Sequence, residues 1–185
     1  MAAYHSRTQK APIDAQDAAV LLLLYPSQSI ATVFIERRKH ELDKHSGQIS
    51  FPGGKVEKHD KSYSDCALRE ASEEIGVEPS LVEVVGHLTP LYIPVSNFKV
   101  YPVVGVAEQP LQFMAQADEV SKIITAPLSI FDKSSTRKKK DILIRSSFTL
   151  QGVPYFDVEG KVVWGATAMI LNEFLAILQS YKPSK

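Results

Sequence analysis

Phe51-Pro-Gly-Gly-Lys-Val-Glu57, followed after a polar interval by Arg69-Glu-Ala-Ser-Glu-Glu-Ile-Gly-Val77, is the stretch from which the rest of the chain is read. Pro52 with Gly53 and Gly54 ends an extended segment and lets the backbone take positive φ or come close to a ligand. Ser62 stands where an N-cap belongs, with Asp65 three residues on as a short substitute for the capping-box glutamate. Gly76 stands where a C-terminal glycine stop belongs, so the spacing predicts a helix ending at Ile75. On that helix Glu70 precedes Glu73 and Glu74 by three and four residues, a relation that brings Cβ atoms to about 5–6 Å on one face. Like charges so placed destabilise a bare helix, and the pattern points to a cation. Mg²⁺ or Mn²⁺ is the natural candidate, because both take oxygen ligands and Mg²⁺ is commonly shared between a few carboxylates, water and substrate phosphate. Ala67, Leu68, Ala71 and Ile75 form an apolar stripe that docks the helix, while Arg69 can pair with Glu73 one turn on. The plain alternative is a solvated acidic face, the commonest meaning of a Glu-rich helix. The flanking glycines weigh against it.

Working outward, the stretch resembles the Nudix box of the Nudix hydrolases: Gly54, Asp60, Arg69, Glu70, Ala71, Glu73, Glu74, Gly76 and Val77 match it in order. Two departures are an aspartate at Asp60 in place of glutamate and one extra residue before Arg69. The insertion is similar to that of the coenzyme A pyrophosphatase branch, whose upstream signature is reproduced by Gly47-Gln-Ile-Ser-Phe51-Pro-Gly-Gly-Lys55. Asp43 stands where that branch usually carries Arg, and Val33-Phe-Ile-Glu-Arg37 replaces its Leu-Leu-Thr-rich run.

The resemblance implies a Nudix-like α/β/α sandwich with a mixed β-sheet, and divalent-metal-dependent cleavage of the pyrophosphate of coenzyme A or an acyl-CoA. The products would be 3′,5′-ADP and 4′-phosphopantetheine or its acyl form. It implies Glu70, Glu73 and Glu74 as metal ligands, with Arg69 orienting them. Glu119 is the candidate for a further ligand or the general base, a role that a box glutamate such as Glu73 could fill instead. Gly53, Gly54 and Lys55 would shape a phosphate-contacting loop, and Arg37 and Arg38, with Lys39, could serve the 3′-phosphate. ADP-ribose or another nucleoside diphosphate derivative is a second substrate reading. A nucleotide-binding regulator without catalysis is the reading from another class, against which the intact Arg69-Glu70 and Glu73-Glu74 pairs argue.

The 185 residues suffice for one core, and the organisation expected is a loose leader over 1–16 and a single domain over 17–185. With 21 basic and 21 acidic residues the formal charge is zero, so nothing global points to nucleic acid or membrane. The expected partner is a small nucleotide substrate, and a homodimer is left open. No apolar run approaches the roughly 20 residues that span a bilayer, and the first residues lack the apolar core of a secretory signal. Cys66 is the single cysteine, which excludes an internal disulfide and fits a packing residue in a reducing cytoplasm.

Ala18–Tyr25 reads as a strand buried on both faces, with Ala31–Arg37 as its antiparallel partner. Arg37 to Ser46 reads as a basic loop, in which His40 and His45 are poor ligands for a hard metal. Leu81–Leu88 and Phe98–Val106 read as strands, the second demoted in part to an edge or bulge by Pro102. Tyr92 and Phe98 could stack on a base, though either is more often core. Ser121–Leu128 reads as a strand turning into a helical piece near Phe131. Arg137-Lys-Lys-Lys140 reads as the solvated tip of a β-connection, with polyanion binding as the sharper alternative. Glu159-Gly160 marks a hairpin, and Ile170, Leu171, Phe174, Leu175 and Leu178 form the core stripe of a final helix.

Overall fold

The computed structural model of the chain describes residues 10–38, 47–143 and 149–181. The first long strand, β1 (Gln16–Pro26), is central: it runs parallel to β7 (Phe98–Val106) along one edge and antiparallel to two short partners along the other. Those partners arise because β1 and β2 (Ile30–Arg37) pair only near their hairpin, at Leu24–Pro26 with Ile30–Thr32, and then diverge. Into the opening enter β3 (Ile49–Ser50), bonded to β2, and β4 (Gly53–Lys55), bonded to β1. The Gly-Gly turn is thus a wedge between splayed strands. Outward from this centre lie β5 (Glu83–His87) and β6 (Leu91–Ile93) against β7, and β8 (Val120–Pro127) against β2. A mixed sheet results.

Alternation along β1 assigns the two faces, since successive strand residues point to opposite sides. Ala19, Leu21 and Leu23 join Val33, Ile35 and Val103 in a core with Cys66, Ala67, Ala71 and Ile75 of α1 (Tyr63–Ile75). Ala18 and Leu22 join Phe34, Val100 and Val104 in a second core with Ile170, Leu171, Phe174 and Leu175 of α2 (Gly165–Ser180). One helix covers each face of the sheet, giving the α/β/α layering expected for the fold. A smaller antiparallel sheet of β9 (Arg137–Leu143), β10 (Thr149–Val158) and β11 (Lys161–Val163) contributes Phe156, Val158 and Val163 to the second core. Its β10–β11 turn holds Glu159 and Gly160 at φ 52° and 79°, the left-handed pair of a tight hairpin.

Several local expectations are corrected. The Arg137–Lys140 run is not a tip: it is the first half of β9, exposed because this strand lies at the edge of the small sheet. Charged residues on an edge strand discourage pairing with another chain. Pro102 does not sit in an edge strand, because β7 is flanked on both sides; it falls where the neighbour changes from β6 to β5, and its carbonyl accepts the Leu88 N–H at 3.0 Å. Residues Pro79–Leu81 form a 3₁₀ turn before β5 begins. Leu178 of the final stripe is 44% exposed, as α2 runs past the edge of the core. Tyr92 is buried with its hydroxyl donating to Asn97 at 2.8 Å, and Phe98 packs against the second core, so both serve structure here. The loop residues Lys39, His40, Asp43, Lys44 and His45 lie outside the described residues.

Candidate active site

Helix α1 begins and ends as its sequence dictates. The Ser62 hydroxyl accepts the Asp65 N–H at 3.1 Å, and Gly76 takes φ 70° while its N–H bonds the Ser72 carbonyl. The Asp65 carboxylate accepts the N–H of Lys61, the residue before the cap, at 3.1 Å. Between these caps the helix presents its carboxylates to β4 and to the end of β2.

The glycines of β4 make that approach possible. At Gly53, φ is 152° and a Cβ would overlap the Ala19 carbonyl; at Gly54 a Cβ would overlap the Glu70 carboxylate. With no side chains between them, the Gly53 N–H donates to Glu74 Oε2 at 2.8 Å. Glu74 is 1% exposed, and its other oxygen, Oε1, stands 2.9 Å from the Arg37 guanidinium. Burial pushes the Glu74 carboxyl up to about 7, opposed by Arg37 and the Gly53 N–H and reinforced by the charges of Glu70 and Glu119.

Arg69 organises the remaining carboxylates of the helix. Its Nε and Nη2 donate to the two oxygens of Asp60 at 2.9 and 3.0 Å, and its Nη1 donates to Glu70 at 2.9 Å and Glu73 at 3.0 Å. Nη2 also reaches the Lys55 carbonyl at 3.1 Å, tying the helix to the end of β4. The forked pair with Arg69 holds the Asp60 carboxyl down to about 2. Burial raises Glu70 and Arg69 pulls it back, while Glu73 stays largely in solvent.

Glu119 is exposed, on the turn before β8. That turn is bound to the helix end through Gln116, whose N–H donates to the Glu74 carbonyl at 2.9 Å and whose side-chain oxygen accepts the Glu119 N–H at 3.1 Å. The Glu119 carbonyl in turn accepts the Arg38 N–H at 2.7 Å. The fold therefore brings Glu70, Glu73, Glu74, Arg69, Gly53, Gly54, Lys55, Arg37, Arg38 and Glu119 to one region, although they come from four separate segments. Arg37 turns inward to Glu74 and the Gly53 carbonyl, whereas the side chains of Arg38 and Lys55 are exposed. Cys66 lies beneath the loop with its thiol near the Gly54 and Lys55 carbonyls; burial pushes it up to about 12, so it is an inert packing group.

Two organising residues carry no role in the sequence reading. Asp60 aligns with the box but only the fold shows its carboxylate as the anchor of Arg69. Gln116 had no sequence signal at all, since both its main-chain N–H and its side-chain oxygen act on backbone groups that only the fold brings near.

Among the described residues no three of His, Cys, Asp and Glu converge as a ready cation cage. Instead the box carboxylates are shared between two arginines. The donor set is nevertheless of the right kind for Mg²⁺ or Mn²⁺, which take carboxylate and carbonyl oxygen. Glu74 Oε1 is buried and receives no well-formed hydrogen bond among the described residues, only the nearby guanidinium charge. These residues fit a hard cation.

Residues 15–133 match the NUDIX domain family. The chain belongs to the Nudix hydrolase family. A relative from Shigella flexneri serotype 5b, named as the uncharacterized Nudix hydrolase NudL, is 37% identical over 172 residues, covering 93% of this chain and 87% of its own length. Nudix hydrolase 22, chloroplastic, from Arabidopsis thaliana is 35% identical over 174 residues, covering 90% of this chain and 57% of that protein. Among solved structures, the M. smegmatis Nudix hydrolase RenU superposes with a TM-score of 0.60 at 14% identity, covering 92% of this chain and 90% of that one. The C. elegans Ap4A hydrolase gives 0.56 at 13% identity, covering 90% and 99%. At such identities these two report the Nudix fold and nothing of the substrate.

Proposed function

We propose that this Nudix hydrolase cleaves the pyrophosphate of coenzyme A or an acyl-CoA, releasing 3′,5′-ADP and 4′-phosphopantetheine or its acyl form. The observation that carries the reading is the Gly47–Lys55 segment. Its residues resemble the coenzyme A branch signature, and its wedge position aims the Gly53 N–H at Glu74. The extra residue before Arg69 supports the same branch.

Glu70, Glu73 and Glu74 would hold Mg²⁺ or Mn²⁺. When bound, the metal supplies neutralisation of the bridging phosphate oxygens and acidification of water. Arg69, anchored by Asp60, orients Glu70 and Glu73. Glu119 accepts the proton of the attacking water, or a box glutamate does so, and Gly53, Gly54 and Lys55 border the phosphates. Arg38 is the better candidate for the 3′-phosphate than Arg37, because its side chain is exposed while Arg37 is engaged with Glu74. Among the described residues no helix is long and apolar enough to cross a membrane.

Phosphate-ester products measured with Mg²⁺ or Mn²⁺ against coenzyme A, 3′-dephospho-coenzyme A, ADP-ribose and a dinucleoside polyphosphate test this reading. Coenzyme A is expected to show the highest kcat/KM, with Arg38→Gln narrowing its advantage over the 3′-dephospho form. Faster cleavage of ADP-ribose would remove the branch assignment and leave a nucleoside diphosphate hydrolase. Tight binding of these nucleotides without turnover would point to a regulator.

A further inference from the structure

The second oxygen of Glu74 separates the two arginines of the site by role. Arg69 makes directional hydrogen bonds to Asp60, Glu70 and Glu73, as a guanidinium fork does when it fixes geometry. Arg37 acts differently. A single nitrogen, Nη2, donates to the Gly53 carbonyl and stands 2.9 Å from Glu74 Oε1 without completing a hydrogen bond to it. Positive charge is thus inserted between one carbonyl and one carboxylate oxygen, which is how a metal ion is held.

Oε2 of Glu74 already accepts the Gly53 N–H in a buried position, so Oε1, which receives no hydrogen bond among the described residues, is the oxygen most open to a cation. A divalent ion and a guanidinium cannot share that place, because two unscreened positive charges would meet in a partly dry cleft. Arg37 is also free to leave. It is 24% exposed at the end of β2, and its backbone is held independently by the N–H bond to the Gln48 carbonyl at 3.0 Å and the carbonyl bond from Gly47 at 3.1 Å. The side chain can move out without unpairing the strand.

We propose that Arg37 is an exchangeable internal cation: its guanidinium neutralises Glu74 and the Gly53 carbonyl until a divalent metal takes those oxygens, so that Arg37 and the metal compete. This rests on reading the box as a divalent-metal site. Arg37 is a positioning residue in this scheme, holding the Glu74 side chain and the Gly53 carbonyl in place in the metal-free protein. Competition requires the linkage to be reciprocal, so removing the arginine must tighten the metal.

The test is Mn²⁺ binding to the full chain without nucleotide, by titration calorimetry and thermal melting, with all variants compared at one fixed pH. Arg37→Gln is expected to melt lower than wild type without metal, to bind Mn²⁺ about tenfold more tightly, and to gain more melting temperature from it. Arg37→Lys, which keeps the charge on a single flexible ammonium, is expected to fall between the two. If Arg37→Gln does not fold, Arg37→Lys carries the test, and an Mn²⁺ affinity no tighter than wild type overturns the exchange. Equal or weaker Mn²⁺ affinity in a folded Arg37→Gln protein overturns it likewise, as does an equal loss of melting temperature with and without metal. Wild-type protein that binds no Mn²⁺ overturns the metal-site reading itself.

Discussion

The two helices occupy equivalent places, one on each face of the sheet, and are built on opposite principles. Helix α1 is capped at both ends by side chain and glycine, and it carries a fully buried carboxylate among its core residues. Helix α2 has no side-chain N-cap, holds to the sheet by Ile170, Leu171, Phe174 and Leu175, and leaves Ile177, Leu178 and Tyr181 exposed at its end. Burying charge costs stability unless it is paired, so α1 needs two arginines, a backbone N–H and two glycines to sit where it does. Burying aliphatic side chains needs only shape. The difference teaches that one face of this sheet is packed for stability while the other accepts electrostatic cost to hold a cluster of carboxylates.

Breaking α1 is expected to abolish activity and spare the fold. Glu73→Gln or Glu74→Gln removes one ligand charge, and the loss of transition-state stabilisation should be on the order of several kcal/mol. Initial rates at limiting Mg²⁺, beside a circular dichroism spectrum, check this; wild-type-like rates would contradict the assignment. Breaking α2 is expected to do the reverse. Leu171→Ala, at a position with no exposure, should cost about 2–5 kcal/mol in urea unfolding. The kcat of the folded fraction should stay near wild type, and a fall parallel to that of Glu74→Gln would erase the contrast between the faces.

The smallest effect sharpens the comparison through pH. Asp60 is held at about 2 against an ordinary 3.8 because Arg69 favours its ionised form. A carboxyl lowered on folding adds stability that is complete above about 3.8 and lost as pH falls through about 2. Asp60→Asn should therefore destabilise the protein near neutral pH and flatten this part of the acid limb. Chemical unfolding at a series of pH values measures it; an unchanged limb would mean that Arg69 does not depend on Asp60.

Much of this was legible because it is local. The α1 boundaries follow from Ser62 and Gly76, the carboxylate face follows from the three- and four-residue spacing, and the buried β1 follows from an unbroken apolar run. The hairpin at Glu159-Gly160 and the core stripe of α2 as far as Leu175 follow for the same reason. Local rules misread Pro102 and the lysines of β9, where neighbours distant in sequence decide whether a strand is central or at an edge.

By itself the sequence determined which residues could do chemistry here, because residue type and helical periodicity are properties of short segments. Tertiary structure decided how those residues are used. The splaying of β1 from β2 admits the Gly53-Gly54 wedge; the end of β2 delivers Arg37 to Glu74, and the polar interval delivers Asp60 to Arg69. No spacing rule predicts pairs formed between residues 37 or 9 positions apart, joined by segments of differing conformation. Their energies come from burial and charge, which exist only once the sheet has closed around them.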